Sequence, residues 1–226
     1  MIACEQVFNL LLDMATKDVR SGWVDCGLKR TVDICGVIIA SPFLLGLLVV
    51  LMVLIVCIDK TYPLFSQMRV GKNGVPFRFY KLNTMGSHRS MDISRGANDD
   101  RATRLGKILR LTILDEVPQI LINVLLGDMA LVGPRPLLQT DIDLMKQRLS
   151  ADDYEKWYRV YTAGRPGWTG KFGLSSRRFK IQSHSYLMAR MHHDISYRQT
   201  ATWWMDVKIV FIHAALPFIV ARNHNE

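Results

Sequence analysis

The residues best suited to chemistry are two adjacent carboxylates, Asp115 and Glu116, in the run Leu114-Asp115-Glu116-Val117-Pro118-Gln119. They stand where a helix should begin, with Pro118 in its first turn. Acids at a helix start are favoured by the helix dipole, and that placement alone accounts for the pair without any reaction. Their surroundings open a second reading. Arg110 lies just upstream, and Gly133-Pro134-Arg135-Pro136 follows the same helix. Two prolines restrict the backbone around Arg135. A guanidinium on a fixed backbone suits bidentate binding of phosphate, or equally the capping of helix carbonyls. With a phosphate ester as substrate the two acids take distinct roles. One attacks phosphorus and holds the phosphoryl group covalently; the other binds Mg²⁺ together with waters and phosphate oxygens. Lys81, Arg110 and Arg135 then offset the charge on the phosphoryl oxygens.

Other chemistry is poorly represented. The histidines show no metal-binding spacing, and the His192-His193 pair reads as solvated. The four cysteines form no Cys-x-x-Cys pair; Cys35 and Cys57 lie in an apolar stretch and read as small hydrophobes in a reducing setting. There is no P-loop and no GxGxxG. In a chain of 226 residues Lys+Arg number 29 against 20 Asp+Glu, a formal charge of +9, yet 49% of residues are hydrophobic and mean hydropathy is +0.10. This composition excludes a disordered chain and a disulfide mini-scaffold. A basic chain with positive hydropathy points to a membrane surface before nucleic acid. Its basic residues are scattered over membrane flanks and candidate phosphate motifs, with no nucleic-acid module.

The elements that must position these groups start with an apolar segment. No charged residue stands between Asp33 and Asp59. As one helix the segment would run about 38 Å at about 1.5 Å per residue, against a hydrocarbon core about 30 Å thick. Lys29 and Arg30 flank it on one side and Lys60, Arg69 and Lys72 on the other, so the positive-inside rule favours neither orientation. Ser41-Pro42 offers a break, and two outcomes stay open: a kinked span, or a segment that enters and returns. Asp33 can pair with Lys29 or Arg30. Residues 1–28 hold an amphipathic stretch. After the segment, two apolar runs around Gly71-Lys72-Asn73-Gly74 predict a β-hairpin over 62–85, and 88–101 reads as a polar loop. Thr103 to Gly127 is helical in pieces, 137–160 predicts one helix, 164–173 a glycine-rich loop and 183–198 a further helix. The apolar tail from Thr202 begins with Trp203-Trp204, which suits a membrane interface or a core.

Several motifs occur in order: KRTVD (29–33), PLFSQMRVG (63–71), FYKLNTM (79–85), DDRATRLGKILR (99–110), LDEVPQILINVLLGDMALVGPRPLL (114–138), RPGWTG (165–170), HDISY (193–197) and MDVKI (205–209). Together they resemble the bacterial sugar transferases, the monotopic phosphoglycosyl transferases acting on polyprenol phosphate, over most of the chain. The resemblance implies a predominantly α protein with a small β-hairpin, in three parts. These are an N-terminal amphipathic segment (1–28), a re-entrant helix-break-helix at Ser41-Pro42 (29–59), and a cytoplasmic catalytic domain with membrane-surface helices (60–226). It implies transfer of sugar-1-phosphate from a UDP-sugar to polyprenol phosphate, undecaprenyl phosphate being the expected lipid. The reaction would run at the cytoplasmic face of a bacterial inner membrane, with UMP leaving, as a first step of glycan assembly. By the same resemblance Asp115 is the nucleophile, Glu116 the Mg²⁺ ligand, and Lys81, Arg110, Arg135 and Asp194 further site residues. Two departures stand out: Asn83 replaces a usual Arg, and the run after Gly170 reads KFGLSSRR. They put the sugar and nucleotide contacts in question and motivate one alternative, a membrane-anchored scaffold without activity. The expected partners are the UDP-sugar, polyprenol phosphate and membrane lipids, not nucleic acid; the oligomeric state stays open, a homodimer included.

Overall fold

The computed structural model describes residues 22–86, 101–175 and 184–223. The amphipathic stretch expected before residue 22, most of the polar loop after His88, and most of the Ser-Ser-Arg-Arg run lie outside them.

The apolar segment forms helix α1, Gly27–Leu54, which continues as a π-helical turn, Ile55–Asp59, and stops at Lys60 in the left-handed region. The backbone stays helical through Ser41 and Pro42. Proline has no N–H to offer the carbonyl four residues earlier, which here is Ile38. Ser41 Oγ donates to that same carbonyl at 2.8 Å, so the neighbouring side chain replaces the lost bond. One face of α1 packs on the rest of the protein at Val37, Leu51 and Ile55, with Leu44, Leu47 and Leu48 partly covered. The opposite face is bare, with Ile39 81% and Phe43 75% exposed. A core helix of a soluble domain would be covered all round; this one is not.

Both ends of the segment are tied to the same domain. Lys29 Nζ lies 2.6 Å from Asp206 Oδ2 and 3.7 Å from Asp33 Oδ2. Trp23 Nε1 and the Tyr197 hydroxyl donate to the two Asp206 oxygens at 2.9 and 2.8 Å. The KRTVD and MDVKI motifs therefore meet in one buried ionic junction. Arg30 instead donates to the carbonyls of Val124 and Met129. At the far end Asp59 Oδ2 accepts from Thr103 Oγ1 at 2.8 Å.

The expected hairpin is present: β1 (Leu64–Val70) pairs antiparallel with β2 (Pro76–Leu82), from Leu64 opposite Leu82 to Val70 opposite Pro76. Its turn needs left-handed residues at Asn73 and Gly74, which these two types supply readily. Helix α2, Arg104–Leu111, is N-capped by Thr103, whose Oγ1 accepts from Gly106 N at 2.8 Å. A 3₁₀ turn, Leu114–Glu116, and a π-helical stretch, Gln119–Val124, follow, so this region is helical in pieces.

A second sheet was not expected. β3 (Ala130–Val132) pairs in parallel with β4 (Gly167–Thr169), inside what reads by sequence as a glycine-rich loop. The backbones touch: a Cβ on Gly167 would collide with Gly133 N and Cα, so both positions require glycine. The single helix expected over 137–160 is two, α3 (Gln139–Arg148) and α4 (Ala151–Ala163). Ser150 separates them as N-cap, accepting from Asp153 N at 3.1 Å. Short α5 (Lys171–Ser175), α6 (His184–Thr200) and α7 (Trp203–Asn223) are the remaining elements among the described residues. Trp157, Tyr161, Met145 and Met191 fill the core between α3, α4 and α6. Phe77, Phe79, Val117 and Leu121 fill a second core beneath α1.

Candidate functional site

Asp115 sits in the 3₁₀ turn after α2. The chain reaches it through Ile113, whose φ of 61° is left-handed. A β-branched residue there is strained by about 1–3 kcal/mol, and the turn it makes separates α2 from the acid pair. Asp115 is 7% exposed. Its carboxyl is pushed up to about 6, by burial first and by the adjacent Glu116 second, against the pull of Lys81, Arg110 and Arg135. The three basic residues singled out from sequence thus face the acid from three separate elements.

Each is held differently. Lys81, on β2, lies over the Phe65 ring at 5.5 Å; burial lowers its pKa, Asp115 opposes that, and Arg110, Arg135 and Arg69 add to it. Arg110 Nε donates to Thr84 Oγ1 at 2.8 Å. Arg135 Nη2 is 3.5 Å from Glu116 Oε1, and its side chain is half exposed. Asp194 is placed apart from the acid pair. It is buried in α6, accepting from Trp157 Nε1 at 3.1 Å, with Arg190 Nε at 3.7 Å. It is linked to the site through Arg190, whose Nη2 donates to the Arg135 carbonyl at 2.8 Å. Asn83 is buried and bridges backbone, from Tyr62 O to Met85 N, next to the Thr84 that orients Arg110.

The structure adds residues that sequence reading passed over. The 133–137 bend is clamped by Arg190 at the Arg135 carbonyl, by Arg69 Nη1 at Pro136 O (3.4 Å), and by Tyr161, whose hydroxyl accepts from Leu137 N and donates to Val70 O. Asn123 joins the π-helical stretch to the outer edge of β2, accepting from Tyr80 N at 3.1 Å and donating to Arg78 O at 2.7 Å. A lone polar residue in an apolar helical run was the only signal for Asn123. For Arg69, alternation along β1 put it on the face of Phe65 and Gln67, and the register with β2 brings Lys81 to that same face.

The acid pair fits the expected Mg²⁺. Glu116 Oε2 is buried and has no hydrogen-bond partner among the described residues, and Mg²⁺ is held by one or two carboxylates with waters and phosphate oxygens completing its shell. No group of three or more His, Cys, Asp or Glu forms a closed protein cage among the described residues.

A mostly helical domain, an apolar helix with one bare face, and a buried acid pair ringed by basic side chains define a membrane-compatible protein with an anion-facing site. The sequence model of the family described as bacterial sugar transferase matches residues 24–218, and the chain belongs to that family. It is 37% identical over 185 residues to a UDP-glucose:undecaprenyl-phosphate glucose-1-phosphate transferase of Caulobacter vibrioides, covering 80% of this chain and 66% of that protein. It is 32% identical over 191 residues to a UDP-N-acetylgalactosamine-undecaprenyl-phosphate N-acetylgalactosaminephosphotransferase of Aeromonas hydrophila, covering 81% of this chain and 42% of the relative. It is 35% identical over 200 residues to the exopolysaccharide production protein PSS of Rhizobium leguminosarum bv. phaseoli, covering 83% and 94%. The chain thus spans less than two thirds of the first two relatives and nearly all of the third.

Proposed function

We propose that this chain transfers a sugar-1-phosphate from a UDP-sugar to a polyprenol phosphate such as undecaprenyl phosphate. The observation that carries the reading is the burial of Asp115 among Lys81, Arg110 and Arg135. An Asp115 carboxylate oxygen attacks the phosphorus that bears the sugar. The bond from that phosphorus to the bridging oxygen breaks, and UMP leaves with the oxygen and its electron pair. A phosphate oxygen of the lipid then attacks the same phosphorus, freeing the carboxylate and forming the lipid diphosphate sugar. Lys81, Arg110 and Arg135 stabilise the charge on the phosphoryl oxygens in both steps. Mg²⁺, held at Glu116, supplies charge neutralisation on the phosphates when bound.

The same proposal places α1 in the membrane as a re-entrant element and the domain on the cytoplasmic side. In support, both ends of the segment are tied to one domain, at Asp206 and at Thr103, while the face between them is bare. Exposed Trp203, Trp204, Phe211 and Ile212 on α7 suit an interfacial helix.

The test is UMP release across a panel of UDP-sugars with polyprenol phosphate and Mg²⁺. Asp115→Asn should release none and retain no labelled sugar phosphate on the protein. Normal turnover by that variant overturns the assignment of the nucleophile. Glu116→Gln should lose its response to Mg²⁺; an unaltered Mg²⁺ titration removes Glu116 from that role.

A further inference from the structure

One basic side chain beside the site has no role in the reading above. Arg69 lies near the end of β1, and Lys81 near the end of β2. Their strands pair so that Phe65 faces Lys81, Gln67 faces Phe79 and Arg69 faces Phe77. These six residues share one face of the hairpin, because alternate residues point the same way and directly paired residues lie on the same side. On that face two cations rest against aromatic rings: Lys81 over Phe65 at 5.5 Å and Arg69 over Phe79 at 5.2 Å. The aromatic seats fix both side chains without neutralising either.

The fittings of Arg69 leave one of its three guanidinium nitrogens without a partner among the described residues. Nη2 donates to Gln67 Oε1 at 2.9 Å and Nη1 to Pro136 O at 3.4 Å, on the bend that carries Arg135. Nε is sealed from solvent and has no hydrogen-bond partner among the described residues. A sealed guanidinium donor without an acceptor is costly, and cations held close together are more so. Arg69 faces Arg135 and Arg190, with Asp141 as the carboxylate acting on it. Burial and the facing Arg135 push its pKa down to about 10. Lys81 in turn is acted on by Arg110, Arg135 and Arg69, against Asp115. Lys81 and Arg135 face the nucleophile, and Arg69, on the Lys81 face of the hairpin and bonded to the bend that carries Arg135, adds a third cation alongside them, a set of donors that the oxygens of a phosphate group can satisfy.

We infer that Arg69 is a substrate-binding residue, which with Lys81 and Arg135 forms a ledge for the non-bridging oxygens of a phosphate group. Two sources share that chemistry: the diphosphate of the nucleotide donor and the phosphate of the lipid acceptor. The inference deepens the transferase reading and rests on it for the identity of the phosphate.

The test uses the full chain in nanodiscs, with Arg69→Met, which keeps an apolar stem over Phe79, and Arg69→Lys, which keeps the charge. Binding of UDP and of uridine is measured by calorimetry, and the KM for undecaprenyl phosphate by UMP release. Loss of a charge-assisted hydrogen bond weakens phosphate binding roughly ten- to hundred-fold. If the donor phosphate occupies the ledge, Arg69→Met lowers affinity for UDP by that factor, leaves uridine unchanged, and Arg69→Lys recovers part of the loss. If the acceptor phosphate occupies it, UDP binding is unaltered and the KM for the lipid rises by a similar factor. A fall in UDP and uridine affinity together marks a merely structural role and overturns the inference, as does no change in either arm. Because UDP binding is read without turnover, the two failures are distinct. The unmodified protein's failure to turn over any donor counts against the transferase reading; an unaltered Arg69→Met counts against the ledge.

Discussion

Asn123 gives the sharpest test of how the site is held together. It is fully buried at 0% exposure, and its amide spans the outer edge of β2, accepting from Tyr80 N and donating to Arg78 O. Lys81 is the next residue along that strand, while the helical stretch carrying Asn123 begins just after Asp115 and Glu116. Asn123→Leu keeps the branching and heavy-atom count of the side chain but leaves the Tyr80 N–H and the Arg78 carbonyl without this partner. Each orphaned group costs about 1–3 kcal/mol, so the variant should lose about 2–6 kcal/mol. At about 2–4 °C per kcal/mol for a chain of this size, Tm should fall by at least about 4 °C. Asn123→Ala adds a cavity and should fall further. The assay is thermal unfolding in nanodiscs, with UMP release measured well below the transition. There the folded variant should turn over more slowly, because Lys81 and Asp115 are no longer held at a fixed separation. A Tm for Asn123→Leu within about 1 °C of the unmodified protein would refute the argument, since losing both hydrogen bonds of a fully buried amide should cost more than that.

Three further outcomes follow from the same kind of reasoning. Lys29→Met leaves Asp206 and Asp33 buried without their shared cation and should cost about 3–5 kcal/mol; Asp33→Asn in that background should recover part of it, read as a double-mutant cycle on Tm. Gly167→Ala drives a Cβ into the Gly133 backbone, opening the β3–β4 pair beneath Arg135. UMP release should drop at least about ten-fold, and an unchanged kcat/KM would show that the bend does not depend on that contact. The Asp194 carboxyl is pushed up to about 6, by burial first, against the pull of Arg190 and the Trp157 N–H. Between pH 4 and 6 the folded state therefore binds this proton more tightly than the unfolded chain. The associated stability is complete below about pH 4 and is lost as pH rises through about 6. Asp194→Asn should flatten the change in Tm over that window, and an equally steep profile in the variant would assign it to another group.

Local chemistry made part of this protein readable from sequence. The unbroken apolar run declared a helix long enough for a bilayer, and Gly71-Lys72-Asn73-Gly74 declared the hairpin, because both depend on neighbours along the chain. The acid pair, Arg110 and Arg135 were visible as residue types at close spacing. The break at Ser150 was also written locally, as a serine followed three residues on by an aspartate, and was passed over in favour of one long helix. The β3–β4 pair had no such signature: each strand is three residues long, and a parallel partner arrives from far along the chain.

The sequence by itself determined the chemical inventory and the family: the acids, the bases, the apolar helix and the motif order that marks a bacterial sugar transferase. Tertiary structure alone decided which charges meet. Lys29 and Asp206 stand at opposite ends of the described chain, yet they form one buried junction. Asp194 is connected to the acid pair indirectly, through Arg190 and the Arg135 carbonyl. Arg69 joins Lys81 because strand register puts them on one face. A side chain's type fixes what it can bind, but burial and through-space charge fix what it does bind, and those are set by contacts between elements that the order of residues does not reveal.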